Sequence, residues 1–123
     1  MSNAPVLSMA AHKAAVDIFD EVGMDALTAK AELLTGYLEF IIDNINKSLE
    51  QKLEIITPRD KSQRGCQLSI VAHGRGKDLF NKLTEAGVIS DWREPNVIRC
   101  APVPLYNSFG DVFRFGEILK SSL

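Results

Sequence analysis

Asp25-Ala26-Leu27-Thr28-Ala29-Lys30-Ala31-Glu32-Leu33-Leu34-Thr35-Gly36-Tyr37-Leu38-Glu39-Phe40-Ile41-Ile42-Asp43-Asn44-Ile45-Asn46-Lys47-Ser48-Leu49-Glu50 is the stretch whose period decides the fold. Leu27, Ala31, Leu34, Leu38, Ile41, Ile45 and Leu49 recur in steps of three and four. That spacing lays one apolar stripe along a helix and predicts a single long helix from Met24 or Asp25 to Glu50. On its N-terminal side a second helical pattern runs from Leu7 to Val22, with Leu7, Ala11, Ala14, Ala15, Ile18, Phe19 and Val22 at helical spacings. Gly23 divides the two, because glycine takes the left-handed conformation that ends a last turn. Met1-Ser2-Asn3-Ala4-Pro5 is a short extended entry.

Beyond Gln51 the period shortens. Leu53-Glu54-Ile55-Ile56-Thr57 reads as a strand closed by Pro58, and Arg59 to Gly65 as a polar loop. From Cys66 to His73 the residues alternate, with Cys66, Leu68, Ile70 and Ala72 on one face and Gln67, Ser69, Val71 and His73 on the other. Gly74-Arg75-Gly76 turns the chain into a short helix, Lys77 to Ala86, whose Leu79, Phe80 and Leu83 face the core and whose Gly87 caps it. Val88 to Trp92 and Val97 to Ala101 are two more strands. The last helix begins near Ser108, where Ser108 and Asp111 have the spacing of a capping box, and Phe109, Val112, Phe113, Ile118 and Leu119 supply its apolar face. The order helix, helix, strand, strand, helix, strand, strand, helix predicts an α+β fold: a small, mostly antiparallel sheet covered by helices.

Composition bounds what such a layer can do. The chain has 123 residues, enough for one domain with its own core, and its 46% hydrophobic and 24% charged content is that of an ordinary globular chain. Fourteen Lys+Arg against sixteen Asp+Glu leave a net charge of −2, so no global field draws it to nucleic acid or an anionic membrane. No apolar run approaches a membrane span and no secretion signal precedes the first helix, so the expected setting is intracellular. Cys66 and Cys100 lie in apolar runs and read as reduced buried thiols. His12 and His73 stand far apart with no third ligand beside them, which gives a metal site no support.

Three features invite chemistry. Gly74-Arg75-Gly76-Lys77 suggests a phosphate loop but lacks the full Gly-x-x-x-x-Gly-Lys-Ser/Thr pattern, so a plain strand-to-helix turn is the better reading. Arg99 stands within the apolar strand Val97-Ile98-Arg99-Cys100-Ala101. Alternation allows it to face solvent, but a guanidinium there could equally fork two hydrogen bonds onto a carboxylate, and the pattern alone leaves the two readings even. In Ala101-Pro102-Val103-Pro104-Leu105-Tyr106-Asn107-Ser108-Phe109 two prolines fix how that strand hands over to the last helix. Glu50, Glu54 and Asp60 read as solvated surface. There is no nucleophile with its base, so the residues describe a binding layer rather than a complete active site.

Longer runs carry a resemblance. Leu33-Leu34-Thr35-Gly36-Tyr37-Leu38-Glu39, Ile55-Ile56-Thr57-Pro58, Arg64-Gly65-Cys66-Gln67-Leu68 and, above all, Pro95-Asn96-Val97-Ile98-Arg99-Cys100-Ala101-Pro102-Val103-Pro104-Leu105-Tyr106-Asn107-Ser108-Phe109 resemble the C-terminal part of the kynureninases. The likeness runs in order from Ser2-Asn3 to the last helix. It implies the small C-terminal domain of a pyridoxal-phosphate enzyme of the aminotransferase-like fold, spanning residues 1–123, with the large cofactor-binding domain and its Schiff-base lysine lying outside this chain. The implied reaction is hydrolysis of L-kynurenine to anthranilate and L-alanine in the cytoplasm, with the choice between kynurenine and 3-hydroxykynurenine left open. The implied assembly is a homodimer, active only as the full-length protein.

In that resemblance Arg99 matches the arginine that grips the substrate α-carboxylate, and Asn3 matches an asparagine near the aryl end of the substrate. The family commonly has proline where Ala4 stands, and Ala72-His73-Gly74-Arg75-Gly76 has no close family match. No residue here is expected to be catalytic, to hold the cofactor or to bind metal. Two other readings stay open: the small domain of a different pyridoxal-phosphate enzyme, and a stand-alone module sensing a small carboxylate through Arg99. The domain reading differs from the module in expecting a large exposed apolar face.

Overall fold

A computed structural model describes residues 4–123 of the chain. The long stripe forms helix α2, Met24–Asn46, preceded by α1, Val6–Val22. Gly23 separates them at φ 82°, while its N–H still donates to the Phe19 carbonyl at 2.8 Å. Leu27, Leu34, Leu38, Ile42 and Ile45 of α2 are buried; Ile42 thus takes the central place expected of Ile41, which is half-buried. Thr35 is buried with them and satisfies its hydroxyl by donating to the Ala31 carbonyl at 2.8 Å.

α2 stops four residues before the expected Glu50. Its last carbonyls find other donors: Ser48 Oγ reaches Ile45 O at 2.9 Å and Lys52 Nζ reaches Asn46 O, while the same ammonium also bonds Leu49 O in the following turn at 2.6 Å. Asn46 then takes both backbone groups of Leu53, donating to its carbonyl at 2.7 Å and accepting from its N–H at 2.8 Å. A side chain therefore occupies the place of a neighbouring strand, and β1 shrinks from the expected Leu53–Thr57 to Glu54–Ile55.

The remaining elements are β2 (Leu68–Val71), α3 (Asp78–Glu85), β3 (Asp91–Arg93), β4 (Val97–Cys100) and α4 (Phe109–Ser122). The strands form one open sheet in the order β1-β2-β4-β3, antiparallel throughout. The α+β reading, with a small antiparallel sheet and helices, is the architecture found. Leu68, Ile70, Ile98 and Cys100 meet α2, α3 and α4 in one core with Leu79, Leu83, Val112 and Leu119. Ser69, Val71, Val97 and Arg99 alternate to the opposite face.

Four further local expectations are corrected. Cys66 lies in a bend before β2, not on the strand, and is half-buried. β3 begins at Asp91 rather than Val88, because Gly87 (φ 86°) closes α3 with a Schellman motif: Val88 N–H donates to Leu83 O at 2.9 Å and Gly87 N–H to Thr84 O at 3.0 Å. That leaves Val88 no N–H for a ladder and Ile89 fully exposed. In α4, Phe109 and Phe113 are exposed; the buried positions are Val112, Gly116 and Leu119. Val71, assigned to the polar face, is on that face but buried, lying in register between Glu54 and Val97.

α1 differs from the rest. None of its residues is buried, and Val6, Leu7, Met9, Ile18, Phe19 and Val22 are all exposed. Phe19 borders a groove with Leu27, Pro104 and Leu105, while Val6, Leu7 and Met9 stay exposed among the described residues.

Candidate functional site

The side of the sheet turned away from the helices carries the charged cluster. The β3–β4 hairpin pairs Asp91 with Arg99, Trp92 with Ile98 and Arg93 with Val97. Trp92 turns to the core, where its ring lies 5.8 Å from that of Phe80, so Asp91 and Arg93 must face the other way. Asp91 and Arg99 therefore meet directly across the two strands. Arg99 Nε donates to Asp91 Oδ2 at 2.6 Å, and Nη2 donates to the same oxygen. Arg93 Nε comes within 3.1 Å of it as well. The Arg99 side chain is 29% exposed and that of Asp91 48%, so the cluster is open to ligand. Ser69 is the β2 residue opposite Arg99; its N–H is taken by Thr57 Oγ1 at 2.8 Å.

The segment after β4 is held by its own backbone. Asn107 Oδ1 accepts from Val103 N–H at 2.8 Å, Asn107 N–H donates to Val103 O at 2.8 Å, and Lys30 Nζ pins Pro104 O to α2 at 2.6 Å. Ser108 and Asp111 form the expected capping box, with Ser108 N–H donating to Asp111 Oδ2 at 2.8 Å. The Ser108 backbone and hydroxyl bonds hold the Asp111 carboxyl below its usual range. Asn107 and Ser108 are thus spent on the turn and the cap. Gly74 and Gly76 take positive φ in a simple turn into α3, and Glu54 pairs with His73 at 2.7 Å on the surface. Burial pushes the Cys100 thiol up to about 12, which makes it an inert core group. Asn3 lies outside the described residues.

Sequence reasoning missed two ion-pair systems. Asp91 is one. The other ties α2 to the loop after β1: Arg59 forks onto Asp43 at 2.6 and 2.9 Å, and the nearly fully buried Arg64 donates to Glu39 at 2.6 Å. The Arg59 bond holds the Asp43 carboxyl below its usual range, and the Glu39 bond raises Arg64. This network borders an apolar groove of about 440 Å³ lined by Phe19, Met24, Leu27, Cys66, Pro104 and Leu105, among others. A second hollow of about 400 Å³ lies between Val88–Ile89 and the start of α4. Arg99 lines neither; it stands on the sheet face turned away from the helices.

The face of the sheet turned away from the helices thus carries Arg99, Arg93 and the Asp91 carboxylate between them. The model of the kynureninase C-terminal domain matches residues 27–119, and the chain belongs to that family. Its relatives include kynureninases of Flavobacterium johnsoniae (55% identical over 123 residues) and Christiangramia forsetii (51% over 123), each matched across 100% of this chain and 29% of its own length. The kynureninase of Myxococcus xanthus is 48% identical over 120 residues, covering 98% of this chain and 28% of its own. The chain thus spans under a third of the length of these curated relatives. The family places the sheet and helices within the aminotransferase-like architecture.

Pyridoxal phosphate, which the resemblance implies, needs a desolvated lysine amine and a phosphate cradle. Every lysine here, from Lys13 to Lys120, is exposed. At Gly74–Lys77 the turn glycine approaches Gln51 and leads into a helix of only eight residues, Asp78–Glu85. The described residues of this chain do not fit the cofactor, and none of them is assigned to hold it.

Proposed function

We propose that residues 1–123 are the small C-terminal domain of a full-length kynureninase that hydrolyses L-kynurenine to anthranilate and L-alanine with pyridoxal phosphate bound by its other domain. In this reading Arg99 binds the substrate α-carboxylate and Asn3 lies near its aryl end. The enzyme is a cytoplasmic homodimer, and the 123-residue chain alone has no turnover. The observation that carries the reading is Arg99: the residue matching the family's carboxylate-binding arginine stands on an open sheet face with part of its guanidinium unpaired among the described residues. Supporting it is the exposed apolar face of α1, the feature that separates a domain in search of its larger partner from a self-sufficient module.

Fixing the carboxylate fixes how the amino acid lies in its site, so orientation is the contribution asked of this domain. The test begins with the native polypeptide, detected in its source cells by an antibody against this domain. A band several times heavier than 13.6 kDa, and anthranilate release from L-kynurenine by that protein with pyridoxal phosphate, are the expected results. A native band at 13.6 kDa, or a long protein that turns over cysteine and not kynurenine, would overturn the reading.

A further inference from the structure

A guanidinium carries five N–H donors in a planar fork, with a side edge formed by Nε and Nη2 and an end edge formed by Nη1 and Nη2. Asp91 occupies the side edge of Arg99, through Nε and Nη2. Among the described residues Nη1 donates to no acceptor, so the end edge is free for a second carboxylate. With both side-edge donors drawn to one carboxylate oxygen, the guanidinium plane is held against the β3 strand rather than free to swing. Arg93 Nε shares that oxygen at 3.1 Å, so two guanidiniums face one carboxylate and the cluster keeps a net positive charge for an incoming anion. Asp91 therefore orients Arg99 without cancelling its attraction.

We propose that Asp91 is a positioning residue for substrate: it locks the Arg99 side chain so that the Nη1–Nη2 edge presents two parallel donors to the substrate carboxylate. The proposal rests on the reading of Arg99 given above. A surface cross-strand pair of half-exposed partners adds little to stability, so a purely structural Asp91 and a positioning Asp91 differ in what its removal changes.

The experiment compares Asp91→Ala, Asp91→Asn and Arg99→Ala in the full-length protein, reading KM and kcat for L-kynurenine and for its carboxamide. Asp91→Ala is expected to raise KM for kynurenine about tenfold, with kcat within about twofold and with discrimination against the carboxamide falling by a similar factor. Asp91→Asn, which keeps an oxygen acceptor for Nε, loses less. The melting temperature of either variant stays within about 3 °C of the parent. The inference is overturned if Asp91→Ala leaves KM unchanged while Arg99→Ala impairs it, and equally if Asp91→Ala lowers KM, which would make Asp91 a competitor for the fork. A variant that loses stability and kcat together at constant KM would make Asp91 a structural residue and overturn it too. If Arg99→Ala itself has no effect, the Arg99 reading fails first and takes this one with it.

Discussion

Gly116 sets how closely α4 lies on α2, and adding one methyl there tests that packing. A Cβ built at Gly116 would stand 2.6 Å from Cγ2 of Ile41, whereas ordinary carbon contacts lie near 3.5–4.0 Å. Cγ2 belongs to a β-branched side chain on a helix, where χ1 is restricted, so the methyl cannot simply swing aside. Gly116→Ala gains about 1 kcal/mol of helix propensity. Forcing the contact costs typically about 1–3 kcal/mol, because packed helices yield only by backbone shifts. The net is a loss of about 0–2 kcal/mol, centred near 1, which is roughly 3–6 °C in melting temperature for a chain of this size. Urea unfolding of Gly116→Ala, Ile41→Ala and the double variant gives the cycle. Removing Cγ2 opens the space the new methyl needs, so a favourable coupling of about 1–2 kcal/mol is expected. A Gly116→Ala chain more stable than the parent, or strictly additive variants, would refute the close approach of α2 and α4.

Asp43 is held below its ordinary value of 3.8 by the Arg59 bond, so that pair's stabilisation is complete above about pH 4 and is lost as pH falls through the lowered folded value. Thermal melts from neutral pH downward should show a shallower acid limb for Asp43→Asn than for the parent; parallel limbs would contradict the pairing. Native chain treated with a thiol reagent at mildly alkaline pH should label half-buried Cys66 well before Cys100, whose thiol is buried and raised to about 12, with both reacting after denaturation. Equal native rates would contradict the burial of Cys100. Ser108→Ala removes one side of the capping box and should cost about 0.5–2 kcal/mol in urea unfolding, with Ser108→Asp close to neutral; no loss in Ser108→Ala would show that the cap contributes nothing.

The long helix α2 was legible because its period repeats over six intervals, and the capping box at Ser108 because its partners are three residues apart. Element ends were harder to read. The end of α2 depends on Lys52 and Asn46, and the start of β3 on a Schellman closure at Gly87–Val88; each is a choice between backbone partners that periodicity does not record. Phe109 and Phe113 failed as core residues because helical spacing identifies an apolar face without saying what covers it. Tyr37 stacks near Phe40 and Phe109 on that outer surface instead.

Arg99 was visible as a charge within an apolar strand, but its partner was not. The signal was present nonetheless: a hairpin centred on Pro95 pairs position 91 with position 99, as the register shows. Asp91 falls inside the strand expected from Val88 to Trp92, and its partner follows only once that strand is paired with Val97–Ala101 about Pro95. Likewise Arg64 and Glu39 are 25 residues apart and belong to a loop and a helix that only the tertiary fold brings together.

In the proposed function this domain contributes a carboxylate-binding arginine to a kynurenine-hydrolysing enzyme. The most direct test of that role is kcat/KM for L-kynurenine in the full-length protein with and without Arg99→Ala, followed by anthranilate release. Losing a bidentate charged contact removes about 2–5 kcal/mol, so a fall of about thirtyfold to several thousandfold is expected. An unchanged kcat/KM would contradict the role given to Arg99.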